Sequence, residues 1–239
     1  MSGLLYCLPL TSTWLQGADP GDKERLDECL TLIRNDTHPL IFLGEHASGK
    51  TVLLFQAGVA YASQDLHVTL ISRRPLSRMP HSVHGMIRPE AAGNLNTLTF
   101  LYMSNVSDLL EYCASVHTRS VTPDILIVDD LDFYLNQLIE PSPEAGCAKL
   151  CALLVDTLHF IRQKSPHGAL LLGCTPQHKL WSHIFSHFKF TAAELAVLDR
   201  PGQLYSVSIS TGRVQLSLTY QVKTEGVVMK EVNASKAVS

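Results

Sequence analysis

The stretch "GEHASGKT", residues 44–51, decides how the rest of the chain is read. It spells G-x-x-x-x-G-K-T, a pattern in which glycines let backbone N–H groups point inward around phosphate oxygens. A helix opening just after the second glycine adds the positive end of its dipole to the same place. The pattern carries meaning only between a strand and a helix. "PLIFLG" (39–44) before it is short and continuously apolar, as a buried strand requires, and "KTVLLFQAGVAYASQ" (50–64) after it reads as a helix. With that context met, Gly44, Glu45, His46, Ala47, Ser48, Gly49, Lys50 and Thr51 form a candidate nucleotide cradle. Lys50 would reach the β- and γ-phosphates, and the Thr51 hydroxyl would ligate Mg2+.

A magnesium–nucleotide site also wants an acid at the end of a neighbouring buried strand. "DILIVDD" (124–130) supplies two. Asp129 is the natural metal carboxylate, held directly or through water. Asp130 fits a catalytic role and a cap on the following turn equally well.

The bulk composition agrees with a packed α/β body. Of 239 residues, 46% are hydrophobic and 17% charged, enough apolar surface for a large core. No apolar run approaches the roughly 18 residues that span a bilayer. The opening "MSGLLYCLPL" has no basic segment and breaks at Pro9, so a signal peptide is not expected. Six scattered cysteines with no C-x-x-C pair read as reduced intracellular thiols. A net charge of −3 means that any nucleic-acid binding must come from a local patch.

Further strands are expected at 67–72, 97–103 and 169–174, and further helices at 107–117, capped by Ser104 or Ser107, and at 147–163. Strands that are continuously apolar and alternate with helices indicate a parallel sheet covered on both faces. After residue 200, "LYSVSIS", "TG" and "RVQLSLTYQV" alternate with period two around a tight turn, an antiparallel hairpin. Residues 1–38 read as an N-terminal extension, with a short helix of Asp22 and "KERLDECLTLIR" that sets Leu26, Leu30 and Ile33 on one face. Residues 39–230 read as the ATPase domain and 231–239 as a disordered tail.

Elimination narrows the class. There is no N-K-x-D base-reading motif and no L-S-G-G-Q signature, and Asp130 stands where many helicases and ring motors place glutamate. Small-molecule kinases stay open as an alternative, as does a non-hydrolysing scaffold that merely holds nucleotide. The parallel core with its late hairpin suits the RecA-like branch. Within it, "GKTVLLF", "LISRRPLSRMP" and "ILIVDDLDFYL" resemble the small recombinase-paralogue ATPases that partner the SWIM-type zinc-finger protein in the metazoan Shu complex. The resemblance covers roughly residues 39–230. It implies an ATP- and Mg2+-dependent ATPase stimulated by single-stranded DNA. It also implies support of the strand-exchange recombinase and its paralogues in homologous recombination, a heterodimer with the zinc-finger protein, a nuclear location and no membrane.

In RecA-type proteins the second core strand ends in a glutamate that activates water. Here that place falls at about Arg73, and arginine cannot act as a general base because its pKa stays above about 12. Slow hydrolysis is expected, with Asp130 as the substitute group. Gln177, beyond "ALLLGC", occupies the position of a γ-phosphate sensor. Arg73, Arg74, Arg78 and Arg88 stand against the single acid Glu90 between residues 72 and 90. They are candidate contacts to single-stranded DNA phosphates. His178, His183 and His187 fit a surface helix better than a zinc site. "FTAA" (190–193) matches the F-x-x-A pattern by which recombinase protomers dock, a pattern cheap enough to occur by chance.

Overall fold

The computed structural model describes residues 4–7, 31, 33, 36–77, 79–80, 83, 86–89, 95–138, 141–210, 214–223 and 226–236. Its centre is a nine-stranded sheet in the order β3-β2-β4-β5-β1-β6-β7-β8-β9. The parallel half comprises β1 (Leu40–Gly44), β2 (Val68–Ser72), β3 (Leu98–Tyr102), β4 (Ile125–Val128) and β5 (Ala169–Cys174). β1, β2, β4 and β5 are buried at nearly every position, which is why they read as unbroken apolar runs. β3 is the edge and is only half-buried.

Helices cover both faces. α1 (Leu4–Cys7) and α2 (Lys50–Ala62) lie on one, where Cys7, Ile33, Leu54, Ala57 and Ile127 share a core. The small side of α2 admits the sheet closely: a Cβ on Gly58 would sit 3.3 Å from Leu98. On the other face pack α3 (Val106–Ser115), α4 (Leu131–Leu135), α5 (Pro143–Lys164) and α6 (Trp181–His187), around Leu126, Val128, Leu154 and Trp181.

The chain then continues as a meander that widens the same sheet. β6 (Thr191–Asp199) pairs parallel with β1, and β7 (Leu204–Ser210), β8 (Val214–Lys223) and β9 (Gly226–Lys236) follow antiparallel. The expected hairpin is β7 and β8, so the described residues form three antiparallel ladders where the sequence indicated one. Residues 231–236, expected within a disordered tail, form the second half of β9, because β8 offers them a full ladder from Thr219↔Glu231 to Val214↔Lys236.

Other differences have local causes. α5 begins at Pro143, inside the expected break, because Ser142 accepts from the Ala145 N–H at 3.2 Å and Pro143 suits a first turn. The cap of α3 is neither Ser104 nor Ser107 but Asn105, whose Oδ1 accepts from the Asp108 N–H at 2.9 Å. The described part of the N-terminal extension belongs to the main core: Tyr6 stacks on Tyr61 with ring centres 3.9 Å apart, and Cys7 and Ile33 are buried. The helix expected from Asp22 lies outside the described residues apart from Thr31 and Ile33. "FTAA" is not a docking motif on the surface: Phe190 packs edge-on against Phe185 and Ala193 is fully buried in β6. Among the described residues no helix is long and apolar enough to cross a membrane.

The capping assignment can be checked by urea denaturation. Asn105→Ala should cost about 1 kcal/mol, whereas Ser107→Ala, exposed on α3, should stay within about 0.5 kcal/mol of the parent.

Candidate nucleotide site

The loop between β1 and α2 has the backbone that phosphate binding requires. Ala47 and Gly49 both lie in the left-handed region, at φ 61° and 95°. Gly49 is the N-cap of α2 and carries no side chain to cap it, so the first-turn N–H groups, which have no acceptor within the helix, face outward. Gly44 is required by contact: a Cβ there would approach the Leu195 carbonyl and the Ser48 hydroxyl to 2.8 Å.

Lys50 is buried and folds back over the loop. Its ammonium donates to the carbonyls of Gly44 (2.9 Å) and Glu45 (2.8 Å) and to the Thr175 hydroxyl (3.1 Å). Burial pulls its pKa down, and the nearby Asp129 opposes that pull. The Thr51 hydroxyl donates to Asp129 Oδ2 at 2.6 Å, across 78 positions of sequence. β4 ends at Val128, shorter than expected, although the Asp129 N–H still donates to the Ile71 carbonyl at 2.9 Å. The Asp130 N–H donates to Asp129 Oδ1 at 2.9 Å.

Asp129 is 4% exposed. Desolvation, and then the charge of Asp130, raise its pKa from 3.8 to about 6; the bonds from Thr51 and the Asp130 amide and the charge of Lys50 pull the other way. The donor set fits a hard divalent cation. A hydroxyl oxygen and a carboxylate oxygen already meet at the mouth of the phosphate loop, and a cation would relieve the desolvated carboxylate.

Asp130 takes a left-handed conformation, φ 53° and ψ 42°, as the N-cap of α4. Its Oδ2 lies 3.0 Å from Arg73 Nε, and the Arg73 guanidinium sits 5.5 Å from the centre of the Phe133 ring. The Nε–H is not aligned for a hydrogen bond with any acceptor among the described residues, so the Arg73–Asp130 contact is an ion pair and nothing more directional. Arg73 follows directly on β2, where the sequence reading put it, and it engages the one carboxylate expected to replace the missing glutamate.

A cleft of about 1060 Å³ opens over the loop. One wall is residues 46–52 with Asp130 and Thr175. The other comes from the turn between β6 and β7, Arg200 to Gln203, and from Tyr205 and residues 221–223 of the meander. This second wall went unread in the sequence, since its members belong to no motif. Thr175, directly after β5, meets Lys50, and its N–H donates to Asp132 Oδ1 at 2.8 Å. Gln177, expected as the sensor, is exposed and does not line the cleft, because the chain turns outward at Thr175 as soon as the β5 ladder ends.

Described residues of the arginine-rich segment are tied to α2 and β9. Gln56 of α2 donates to the Ile87 carbonyl and accepts from the Val83 N–H, and Val83 is buried against β9. Arg74 and Arg88 are exposed, and Arg78 lies outside the described residues. His183 and His187 are exposed on α6, and His178 leans on Trp181 at 5.0 Å. Among the described residues, Cys113, Cys147, Cys151 and Cys174 are buried and form no disulfide, and Cys7 is buried as well.

The chain is 34% identical over 131 residues to ATPase SWSAP1 of Homo sapiens, covering 54% of this chain and 55% of that protein. It therefore spans about half the length of the curated relative it matches. The match meets the resemblance drawn from the three quoted stretches. Flagellar accessory protein FlaH from Methanocaldococcus jannaschii superposes with a TM-score of 0.51 at 12% identity, over 82% of this chain and 90% of that one. The fold is accordingly RecA-like, a mostly parallel α/β sheet with C-terminal antiparallel strands. No protein-family model matches the chain.

The buried carboxylate sets a pH dependence. Its folded-state pKa of about 6 stands above the ordinary 3.8, so the fold prefers the protonated form. That contribution is complete below pH 3.8 and is lost as pH rises through 6, a term on the order of 3 kcal/mol. In nucleotide-free protein, Asp129→Asn should therefore flatten the decline in stability between about pH 4 and 7 and leave the variant the more stable protein at pH 7.5. Urea melts across that range would show it, and parallel curves for the two proteins would refute it.

Proposed function

We propose that this chain is a Mg·ATP-binding, slowly hydrolysing accessory ATPase of homologous recombination that acts on single-stranded DNA. The observation that carries the reading is the meeting of Thr51 and Asp129 beside Lys50 at the mouth of a left-handed phosphate loop. The RecA-like fold and the similarity to ATPase SWSAP1 support the class. In this reading Lys50 exchanges its loop carbonyls for the β- and γ-phosphates, and the first-turn amides of α2 hold the remaining oxygens. Thr51 and Asp129 hold Mg2+, which when bound neutralises charge on the phosphates. Turnover is slow because Arg73 replaces the glutamate and Asp130 is paired with it. A missing general base costs about 10²–10⁴-fold.

DNA contact falls to the exposed Arg74 and Arg88, with Arg73 and Arg78 beside them in sequence. The partners that go with this reading are the SWIM-type zinc-finger protein, as heterodimer, and the strand-exchange recombinase with its paralogues, in the nucleus. The Arg73–Asp130 pair also favours a second reading, a scaffold that binds Mg·ATP without splitting it.

Phosphate release from ATP, with and without single-stranded DNA and beside Lys50→Ala, separates these. DNA-stimulated release that falls at least tenfold in the variant supports the DNA-coupled ATPase. Background release from both proteins, with thermal stabilisation by Mg·ATP, supports the scaffold. Phosphoryl transfer to a metabolite, indifferent to DNA, would establish a kinase and overturn both. Replacing Arg74 and Arg88 together by alanine should weaken DNA binding across sequences. It should also lower the log–log salt slope by about 0.7 for each DNA phosphate that is no longer neutralised; an unchanged slope would place the DNA elsewhere.

A further inference from the structure

The phosphate loop is held from outside the parallel core. Tyr220 of β8 is 1% exposed, and its hydroxyl donates to the Ser48 carbonyl at 2.8 Å, across 172 positions of sequence. The same oxygen is what a Cβ at position 49 would meet at 3.0 Å, so only glycine lets the phenol come this near. The Tyr205 ring lies parallel to Tyr220, 17° between planes and 5.5 Å between centres, which fixes the phenol in its plane. Burial pushes the Tyr220 pKa up, so the donor keeps its proton.

The consequence follows from peptide geometry. The Ser48 carbonyl and the Gly49 N–H belong to one planar trans peptide and point in opposite directions. A donor that holds the carbonyl on the Tyr220 side turns the N–H to the other. That N–H is one of the loop donors that cradle phosphate oxygens, and the left-handed φ of 95° at Gly49 fits this orientation.

We propose that Tyr220 is a positioning residue for the phosphate loop: it orients the 48–49 peptide toward bound phosphate and couples nucleotide occupancy to the β7–β8 limb of the meander. The inference rests on the nucleotide reading above and extends it to regulation. Coupling of this kind is reciprocal: whatever displaces β8 weakens phosphate binding, and bound phosphate holds β8 in place. A partner or DNA strand that moved β8 would act on the 48–49 peptide through this hydroxyl.

The test is Tyr220→Phe, which keeps the ring stack and removes the donor. Wild type and variant are titrated with Mg·ATP and with Mg·pyrophosphate by calorimetry, after thermal melts show that the variant folds. Both affinities should fall by the same factor, about threefold to tenfold, as for one lost hydrogen bond. Amide exchange in residues 214–219 of β8, which do not line the cleft, should slow on adding Mg·ATP to wild type and stay unchanged in the variant. Equal affinities for the two proteins would overturn the proposal, and so would a loss confined to ATP and absent with pyrophosphate. If the variant does not fold, exchange in wild type decides alone, and no nucleotide-dependent protection of residues 214–219 relative to β3 overturns the coupling. A wild-type protein that binds neither ligand overturns the nucleotide reading and this inference with it.

Discussion

The contact between the Thr51 hydroxyl and the Asp129 carboxylate depends on the register of three parallel strands. β1 is matched to β5 from Leu40↔Leu171 to Leu43↔Cys174, and β5 to β4 up to Val128↔Leu172. Parallel strands in register end together, so the loop after β1, Thr175 after β5 and Asp129 after β4 all emerge along one edge. A slip of one residue in either ladder would turn the apolar faces over and separate hydroxyl from carboxylate. The continuous burial of these strands therefore serves the site as well as the core.

At that edge, buried Lys50 and Asp129 and their half-buried neighbours satisfy one another. Lys50 spends its donors on two loop carbonyls and Thr175, Thr51 spends its proton on Asp129, and Asp130 is drawn to Arg73. A nucleotide must replace these bonds with better ones, which favours a charged, multidentate ligand over a neutral one. Under the proposed function the same arrangement would let binding and hydrolysis part company: Lys50, Thr51 and Asp129 are assembled, while Asp130 is engaged by Arg73.

The parallel half of the fold and the phosphate loop were legible because each rests on a local signal, an apolar run or a spaced motif. The rest failed for identifiable reasons. β6, "TAAELAVLD", is written in residues that favour helix as much as strand, and it is a strand because β1 offers it a free edge. β9 looks like a polar tail until β8 pairs with it along its length. α4 is a five-residue turn whose cap, Asp130, sits in the left-handed region, with nothing in its letters to announce it. In the site, Lys50, Thr51, Asp129 and the Arg73 substitution came from motifs. Thr175, Asp132, Arg200 and Tyr220 carry no motif at all. The one signal that could have pointed to Tyr220 was an aromatic on the inward face of an alternating strand, which equally describes any core tyrosine.

By itself the sequence determined that the chain holds a phosphate loop at a strand–helix junction, an acid at the end of a second buried strand, and an arginine where a base would stand. Those are statements about neighbours along the chain, where sterics, hydrogen-bonding capacity and apolar periodicity act within a few residues. Tertiary structure alone decided that Thr175 and not Gln177 enters the cleft after β5, that Asp132 accepts from the Thr175 N–H, and that the C-terminal meander forms a wall of the cleft and meets the loop through Tyr220. Each of these joins groups far apart in the chain, from Thr175 and Asp132 to Tyr220 and Ser48. Such pairs are chosen by sheet order and register, which the whole core selects and no short stretch encodes.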